Sequence, residues 1–137
     1  MTQEDKELLL RDLCARLHYK IKVCLYGKET CILMGIDGNE VYLDVDSDSF
    51  RIESIKPYLR PMSSMTEEEK HKLYQVFQEC PTIIRTFPSY AEFFVYADII
   101  NSIDMVNVID WLNANHFDYR GLIEKGLALE APEGMYK

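Results

Sequence analysis

The stretch TCILMGIDGNEVYLDV, residues 30–45, decides the fold of this chain. Asp37-Gly38 divides it into two apolar runs, and this dipeptide is a strong signal for a two-residue hairpin turn, because both turn positions favour positive φ. After the turn, residues 41–45 alternate between apolar and other side chains, which indicates a strand with one buried face. Before it, residues 30–36 are apolar on both faces and predict a central strand.

The alternation continues outward from this hairpin in both directions. Residues 20–25 alternate with period two before a turn at Gly27-Lys28, and residues 50–53 do so after a turn at 47–49. Ahead of them, residues 3–17 repeat leucine at helical spacing. The sequence therefore predicts an N-terminal helix, capped by Thr2, and an antiparallel meander of four to five strands that curves into an SH3-like or other small barrel.

The strand pattern stops at two prolines. Pro57 and Pro61 lack the N–H that a ladder needs, so we expect the sheet to end there. This places a boundary between residues 1–62, the helix plus a small barrel or curved sheet, and residues 63–137, a helical C-terminal part packed on it as one compact unit. The predicted fold class is α+β.

Helical signals dominate after this boundary. The capping box Thr-x-x-Glu at residues 66–69 predicts a helix from Glu67 that ends before Pro81. Residues 82–101 fit a helix or a strand, and the helix is favoured. A last helix is expected from Ser102 to about His116, with Trp111 buried on its apolar stripe.

Charge and composition narrow the function classes. The net charge of −8 divides into −2 for residues 1–62 (9 Lys/Arg, 11 Asp/Glu) and −6 for residues 63–137 (6 against 12). Such a surface repels nucleic acid and attracts basic proteins. No apolar run approaches the roughly 18 residues that cross a bilayer. The acidic opening of the chain lacks a secretory signal, so we expect a cytoplasmic protein with reduced, buried cysteines.

One acidic run resembles a metal loop and then departs from it. Asp44-x-Asp46-x-Asp48 matches the first ligands of an EF-hand calcium loop. Ser49 stands where that loop needs glycine, and Ile55 stands where it needs glutamate. The histidines lie in different elements, without the paired spacing of a zinc site. We therefore predict neither a metal nor a cofactor.

The densest group of chemically versatile side chains follows the last helix. It consists of His116, Phe117, Asp118, Tyr119 and Arg120. Arginine and tyrosine often anchor protein interfaces, so we interpret the segment as a recognition element presented at the surface. Two alternatives remain. The imidazole, acid and guanidinium could serve an enzyme as acid, base and anion clamp, or the rings could tuck under the helix end while Asp118 pairs with Arg120.

A smaller group supports a different hypothesis. Lys20, Lys22, Tyr26 and Lys28 could form a cationic face with a stacking ring on the predicted barrel. Proteins that bind single-stranded nucleic acid combine such charge with aromatic rings. The acidity of the whole chain disfavours this interpretation.

Two segments carry a family resemblance. They are residues 109–132, IDWLNANHFDYRGLIEKGLALEAP, and residues 56–66, KPYLRPMSSMT, together 35 of 137 residues. Both resemble an uncharacterised family of small proteins from Bacteroides genomes, many of them phage- or prophage-associated. The resemblance implies a bacterial or phage intracellular context, and it implies no activity, ligand or site residue.

Together these observations favour a non-enzymatic protein-interaction module, such as a phage or mobile-element accessory protein that binds another protein. The first alternative is a small-barrel protein that binds nucleic acid. The second, ranked last, is an enzyme with its site at His116, Asp118 and Arg120.

Overall fold

The computed structural model describes residues 1–45, 49–77 and 102–136. Its first element is helix α1 (Gln3–Arg16), which the leucine spacing predicted. The hydroxyl of Thr2 accepts from the N–H of Asp5 at 3.0 Å, and the carboxylate of Asp5 accepts from the N–H of Thr2 at 3.1 Å. This reciprocal cap satisfies two donors, one of which is an N–H that a helix start otherwise leaves without a partner.

An antiparallel meander follows, with the strands β1 (Lys22–Leu25), β2 (Glu29–Asp37), β3 (Glu40–Leu43) and β4 (Phe50–Arg51). The hairpin between β2 and β3 is confirmed, but its turn lies one residue later than predicted. Asp37 pairs with Glu40, so Gly38 and Asn39 form the loop. Of the two, Gly38 alone has a positive φ, 61°. Glycine at the first position with one positive φ is the pattern of a type II′ turn.

Strand β2 contains a bulge. Its register with β3 shifts between Leu33 and Gly35, so Met34 is an additional residue on β2. Before the bulge Leu33 is buried in the core, and after it Ile36 packs against the same core. A bulge changes which residues of a strand face inward, and this explains why residues 30–36 look apolar on both faces.

The chain continues as a strand where the sequence predicted the end of the sheet. Strand β5 (Ile55–Pro61) pairs antiparallel with β1, and Pro57 lies opposite Val23. The N–H of Tyr26 donates to the C=O of Ser54 at 2.9 Å, which fixes the phase of that ladder. In this phase an N–H at Pro57 would point away from β1, so the missing donor removes no bond from the pair. The prediction that strand pairing ends at the prolines is therefore wrong.

Two short strands add parallel pairs to β5. Strand β6 (Phe117–Asp118) pairs with its last two residues, and β7 (Leu129–Glu130) pairs with Tyr58 and Leu59. The sheet is thus mixed rather than wholly antiparallel. In the described residues the order is β4-β3-β2-β1-β5, and the sheet is not closed into a barrel. The α+β class with an N-terminal helix is confirmed.

Two further helices are described. Helix α2 (Glu67–Phe77) begins at the predicted capping box, where the Thr66 hydroxyl accepts from the Glu69 N–H at 3.1 Å. Helix α3 (Ser102–Ala114) ends close to the predicted position. The predicted end of α2 and the segment 82–101 lie outside the described residues.

By its contacts the chain divides into two compact units, Met1–Leu59 with Leu122–Lys137, and Arg60–Gly121. The core of the first unit joins α1 to the inner face of the sheet, with Leu9, Leu13, Ile21, Val23, Val41, Ile52 and Leu59 fully buried. Asp12 and Arg16, one turn apart in α1, form a two-point ion pair inside it, with both side chains 0% exposed. Removing one partner from such a pair is strongly destabilising, because the other charge then lacks its partner away from water.

The described cysteines are free thiols. Cys24 and Cys31 are buried as predicted, whereas Cys14 is exposed on α1. Burial, together with the nearby carboxylates of Asp44 and Glu29, raises the pKa of the Cys31 thiol. This thiol is therefore protonated at neutral pH and a poor nucleophile.

Candidate functional site

The segment predicted as a recognition element begins where α3 ends. His116 has a positive φ of 64°, a conformation that stops a helix, and its N–H donates to the C=O of Asn113 at 3.1 Å. Its own C=O accepts from the N–H of Arg60 at 2.8 Å. This bond starts the pairing of β6 with the end of β5, so the segment enters the sheet instead of forming a loop.

Burial divides the five residues of this segment. His116, Phe117, Asp118 and Tyr119 are at most 8% exposed, while Arg120 is half-buried. The expectation of an element presented at the surface is therefore wrong for the first four. The physical reason is the pairing with β5, which the local sequence does not reveal.

The ring of Phe117 stacks with Arg60 and Trp111, and Glu69 is hydrogen-bonded to Arg60. The Arg60 guanidinium lies 4.2 Å from its centroid, and the half-buried Trp111, which was predicted to be buried, stacks on it at 5.8 Å. Arg60 also donates two hydrogen bonds of 2.6 Å to the carboxylate of Glu69. Partial burial alone would raise the pKa of Glu69, but hydrogen bonds from Arg60 and the Thr66 backbone outweigh it and lower the pKa. These contacts tie α2, α3 and β6 to the last residues of β5.

Tyr119 and Arg120 are joined in a second chain of contacts. The Tyr119 hydroxyl donates to Oδ1 of Asn113 at 2.8 Å, and the guanidinium of Arg120 donates to the same hydroxyl at 3.2 Å. Both hydrogen bonds lie within the second unit. This agrees with the packing interpretation of the segment, in which its rings belong to the core.

The structure does not bring the four residues of the proposed cationic face together. Lys20 precedes β1, and Lys22 is its first residue, whereas Tyr26 and Lys28 lie in the turn that follows the strand. At about 3.3 Å per residue, the ends of β1 are roughly 10 Å apart. The Nζ of Lys22 donates to the C=O of Met135 at 2.9 Å, so its charge is engaged by the C-terminal segment.

Near the C-terminus, Tyr136 supplies a contact that the sequence did not indicate. The N–H of Lys22 donates to its hydroxyl at 3.1 Å, and the hydroxyl donates to the C=O of Tyr58 at 2.7 Å. The phenol thus stands in for a direct rung where the β1–β5 ladder ends. Burial raises the pKa of Tyr136 to about 12, against a hydrogen bond from the Lys22 backbone and the nearby Arg16, which lower it.

The bulge in β2 presents large apolar side chains to solvent. Met34 is 62% exposed and Tyr42 is 39% exposed. A Cβ built on Gly35 would lie 3.7 Å from Cδ2 of Tyr42, so the tyrosine ring covers the glycine backbone. Val41 and Leu43 face the core, and alternation therefore turns Tyr42 and the exposed Glu40 to the opposite face. We call Ile32, Met34, Gly35, Glu40 and Tyr42 the hairpin face.

The sequence pattern did not predict the hairpin face, although it contains a signal for it. Residues 30–36 do not alternate, and a run that is apolar on both sides predicts a central strand rather than an exposed one. The ladder between β1 and β2 extends from Leu25/Glu29 to Lys22/Ile32, and the N–H of Leu33 adds one further bond to the C=O of Ile21 at 3.0 Å. Beyond Leu33, β2 continues with β3 as a hairpin arm, and Met34 and Tyr42 stay accessible there.

Comparisons with protein-family models, curated proteins and solved structures find no match for this chain. Within the described ranges, no three His, Cys, Asp or Glu side chains are grouped so that they could bind a metal ion. Asp46 and Asp48 lie outside those ranges, and the carboxylate of Asp44 accepts from the N–H of Ile32 at 2.7 Å. None of the described helices has the length and apolarity to cross a bilayer.

Proposed function

We propose that this chain is a non-enzymatic protein-interaction module that binds another protein through the hairpin face. The observation that carries the proposal is the exposure of Met34 and Tyr42 side by side at the β2 bulge. Apolar side chains of this size are normally placed in a core, and adjacent exposed ones mark a contact surface more often than isolated ones do.

The hairpin face also has the physical properties that an interface needs. Tyrosine and methionine are enriched in protein interfaces, and the flexible methionine side chain adapts to the shape of a partner. The backbone beneath them is fixed by the ladder with β3 and by the burial of Leu33, Val41 and Leu43 on the inner side. Binding to a surface that is already ordered loses less conformational entropy.

We also propose that the sheet is related to the SH3-like small barrels. The order β4-β3-β2-β1-β5, the bulged β2 and the 3-10 turn Ile52–Ser54 between β4 and β5 support this relationship. The phage or mobile-element setting, which rests on the resemblance of residues 56–66 and 109–132, is likewise a proposal. It places the partner among host or phage proteins.

A second candidate function is binding of single-stranded nucleic acid at the β1–β2 turn. Tyr26 is 65% exposed, its ring lies edge-on to Phe50 at 6.1 Å, and Lys28 occupies the same turn. An exposed ring beside a cation is the arrangement on which bases stack. The net charge of −8 opposes it.

The two candidates separate in one capture experiment. Immobilised wild-type chain is incubated with a Bacteroides lysate, with and without nuclease, beside the double variant Met34→Ser/Tyr42→Ser and the single variant Tyr26→Ser. We expect a nuclease-resistant set of proteins that the double variant loses and Tyr26→Ser retains. Capture that survives the double variant contradicts the proposal, and loss of capture with Tyr26→Ser and nuclease supports the second candidate.

A further inference from the structure

The hairpin formed by β2 and β3 carries acidic side chains and no basic ones. From residue 29 to residue 43 the acids are Glu29, Asp37 and Glu40, and there is no Lys or Arg. The other residues of the range 1–62 are not predominantly acidic, because they contain all 9 Lys and Arg of that range. The local charge is thus more negative than the chain average.

Among the described residues, two of these acids border the exposed apolar pair. Asp37 and Glu40 are paired across the turn at the tip of the hairpin, and both are exposed. Glu40 and Tyr42 are two residues apart on β3 and therefore share a face. Arg51 of β4 lies opposite Glu40 and offsets part of this charge.

We propose that the partner of the hairpin face is a basic protein segment in which Lys or Arg side chains flank an apolar residue. This inference rests on the proposed function and names the chemistry of its partner. The apolar residue packs on Met34 and Tyr42, and the flanking cations lie near Glu40 and Asp37. Charge complementarity decides between occupants, because an acidic or neutral apolar segment gains the same apolar contact without the electrostatic attraction.

The charged and the apolar parts of the contact differ in their dependence on salt concentration. Exposed charges are screened beyond a Debye length of about 10 Å at 0.1 M salt, so the contribution of Glu40 and Asp37 weakens as salt rises. The apolar contact with Met34 and Tyr42 does not depend on screening in this way. A partner of the proposed kind therefore binds with an affinity that falls with salt to a residual, Tyr42-dependent level.

Three synthetic peptides of roughly twelve residues, long enough to cross the hairpin face in extended form, test the proposal on the full chain. Their repeats are Lys-Leu-Lys-Ser, Lys-Ser-Lys-Ser and Glu-Leu-Glu-Ser, and binding is measured by fluorescence anisotropy of a labelled peptide. We expect the Lys-Leu-Lys-Ser peptide to bind about tenfold tighter than the Lys-Ser-Lys-Ser peptide, and the acidic peptide not to bind. When the Lys-Leu-Lys-Ser peptide is added, the chemical-shift changes of the protein's backbone amides should centre on residues 34 and 40–42.

Matched variants separate specific binding from general charge attraction. Glu40→Lys should lower the affinity for the Lys-Leu-Lys-Ser peptide about tenfold. Glu124→Lys, the same change of charge in an exposed turn, should lower that affinity less than about threefold. Tyr42→Ser should abolish the preference for leucine over serine in the peptide. Equal effects of the two charge reversals, or equal affinities of the two lysine peptides, contradict the proposal.

The outcome is distinguishable from failure of the proposed function itself. If no peptide binds while protein capture still depends on Met34 and Tyr42, the chemistry assigned to the partner is wrong and the interaction module stands. If capture does not depend on these two residues, the proposed function is contradicted whatever the peptides do.

Discussion

The burial of residues 116–120 and of the β2–β3 hairpin is the opposite of what their compositions indicate. The first segment holds an imidazole, a carboxylate, a guanidinium and two rings, yet four of its five residues are buried. The hairpin arm is an apolar run with a few acids, yet Met34 and Tyr42 are exposed. Residue type alone therefore does not locate a binding surface. What decides is whether a segment is paired and covered by distant parts of the chain.

The largest expected effect lies in the buried segment. Phe117→Ala should lower the free energy of unfolding by about 3–5 kcal/mol, because a fully buried ring leaves a cavity when it is truncated. Urea denaturation followed by the fluorescence of Trp111, which stacks on this ring, measures the loss. A change below about 1 kcal/mol in Phe117→Ala would mean that the ring is not packed as described and that the contrast with the hairpin is false.

The next effect concerns Tyr136, whose hydroxyl bridges β1 and β5 at the point where their ladder ends. Its pKa is raised from 10.0 to about 12 in the folded chain, so folding favours the protonated phenol. The corresponding stability is complete below about pH 10 and is lost as the pH rises towards 12, on the order of 2 kcal/mol in total.

Tyr136→Phe isolates this contribution from other groups, such as Tyr58 and Cys31, whose pKa values are also raised. The variant should lose roughly 1–3 kcal/mol at neutral pH, since the Lys22 N–H and the Tyr58 C=O lose their bridge. Wild type should then approach the variant between pH 10 and 12 in denaturation profiles. Parallel profiles across that range would contradict the bridging role of the phenol.

A smaller effect is expected at Tyr119. Tyr119→Phe keeps the ring but removes the donor to Asn113, so a buried acceptor loses its partner, and we expect a loss of about 1–2 kcal/mol. Asn113→Ala combined with Tyr119→Phe forms a double-mutant cycle with the single variants. Additive losses in that cycle would show that the two side chains do not interact.

The elements that were predicted correctly depend on local signals. The caps at Thr2 and Thr66 define helix starts within three residues of sequence, and the alternation of residues 20–25 and 41–45 marks strands of the meander. These features need no knowledge of the rest of the chain, because the interacting groups are neighbours in sequence.

The errors arise where distant residues decide. Pro57 is tolerated in β5 because of the phase of its ladder with β1, and that phase is set by the bond between Tyr26 and Ser54, 28 residues apart (54 − 26). The burial of residues 116–119 depends on the parallel pairing of Phe117 and Asp118 with Arg60 and Pro61. Neither pairing leaves a periodic trace in the local sequence, so neither the sheet boundary nor the inward orientation could be derived from it.

The candidate site shows the same limit in a different way. The lack of alternation in residues 30–36 does indicate that this strand is unusual. An apolar run of this kind needs a bulge, a second buried face or a binding partner. Choosing among these requires knowing that the pairing of β2 with β1 stops at Leu33. The acids Glu29, Asp37 and Glu40, in contrast, can be read directly from the sequence and belong to the same hairpin.

The smallest expected effect on stability is at the hairpin face. Met34→Ser should change the free energy of unfolding by no more than about 0.5 kcal/mol, because the side chain is already in water. A loss comparable to that of Phe117→Ala, measured in the same urea series, would show that Met34 belongs to the core and would remove the basis of the proposed interface.

Site-specific photo-crosslinking tests the central claim most directly, namely that the hairpin face and not the β1–β2 turn with Tyr26 meets the partner. The photoreactive residue p-benzoylphenylalanine replaces Tyr42 in one chain and the more exposed Tyr26 in a matched control, and both are irradiated in lysate. We predict a discrete crosslinked protein at position 42 that is absent at position 26, although Tyr26 is 65% exposed and Tyr42 is 39% exposed. A discrete product at position 26 alone, or none at either position, would contradict the account.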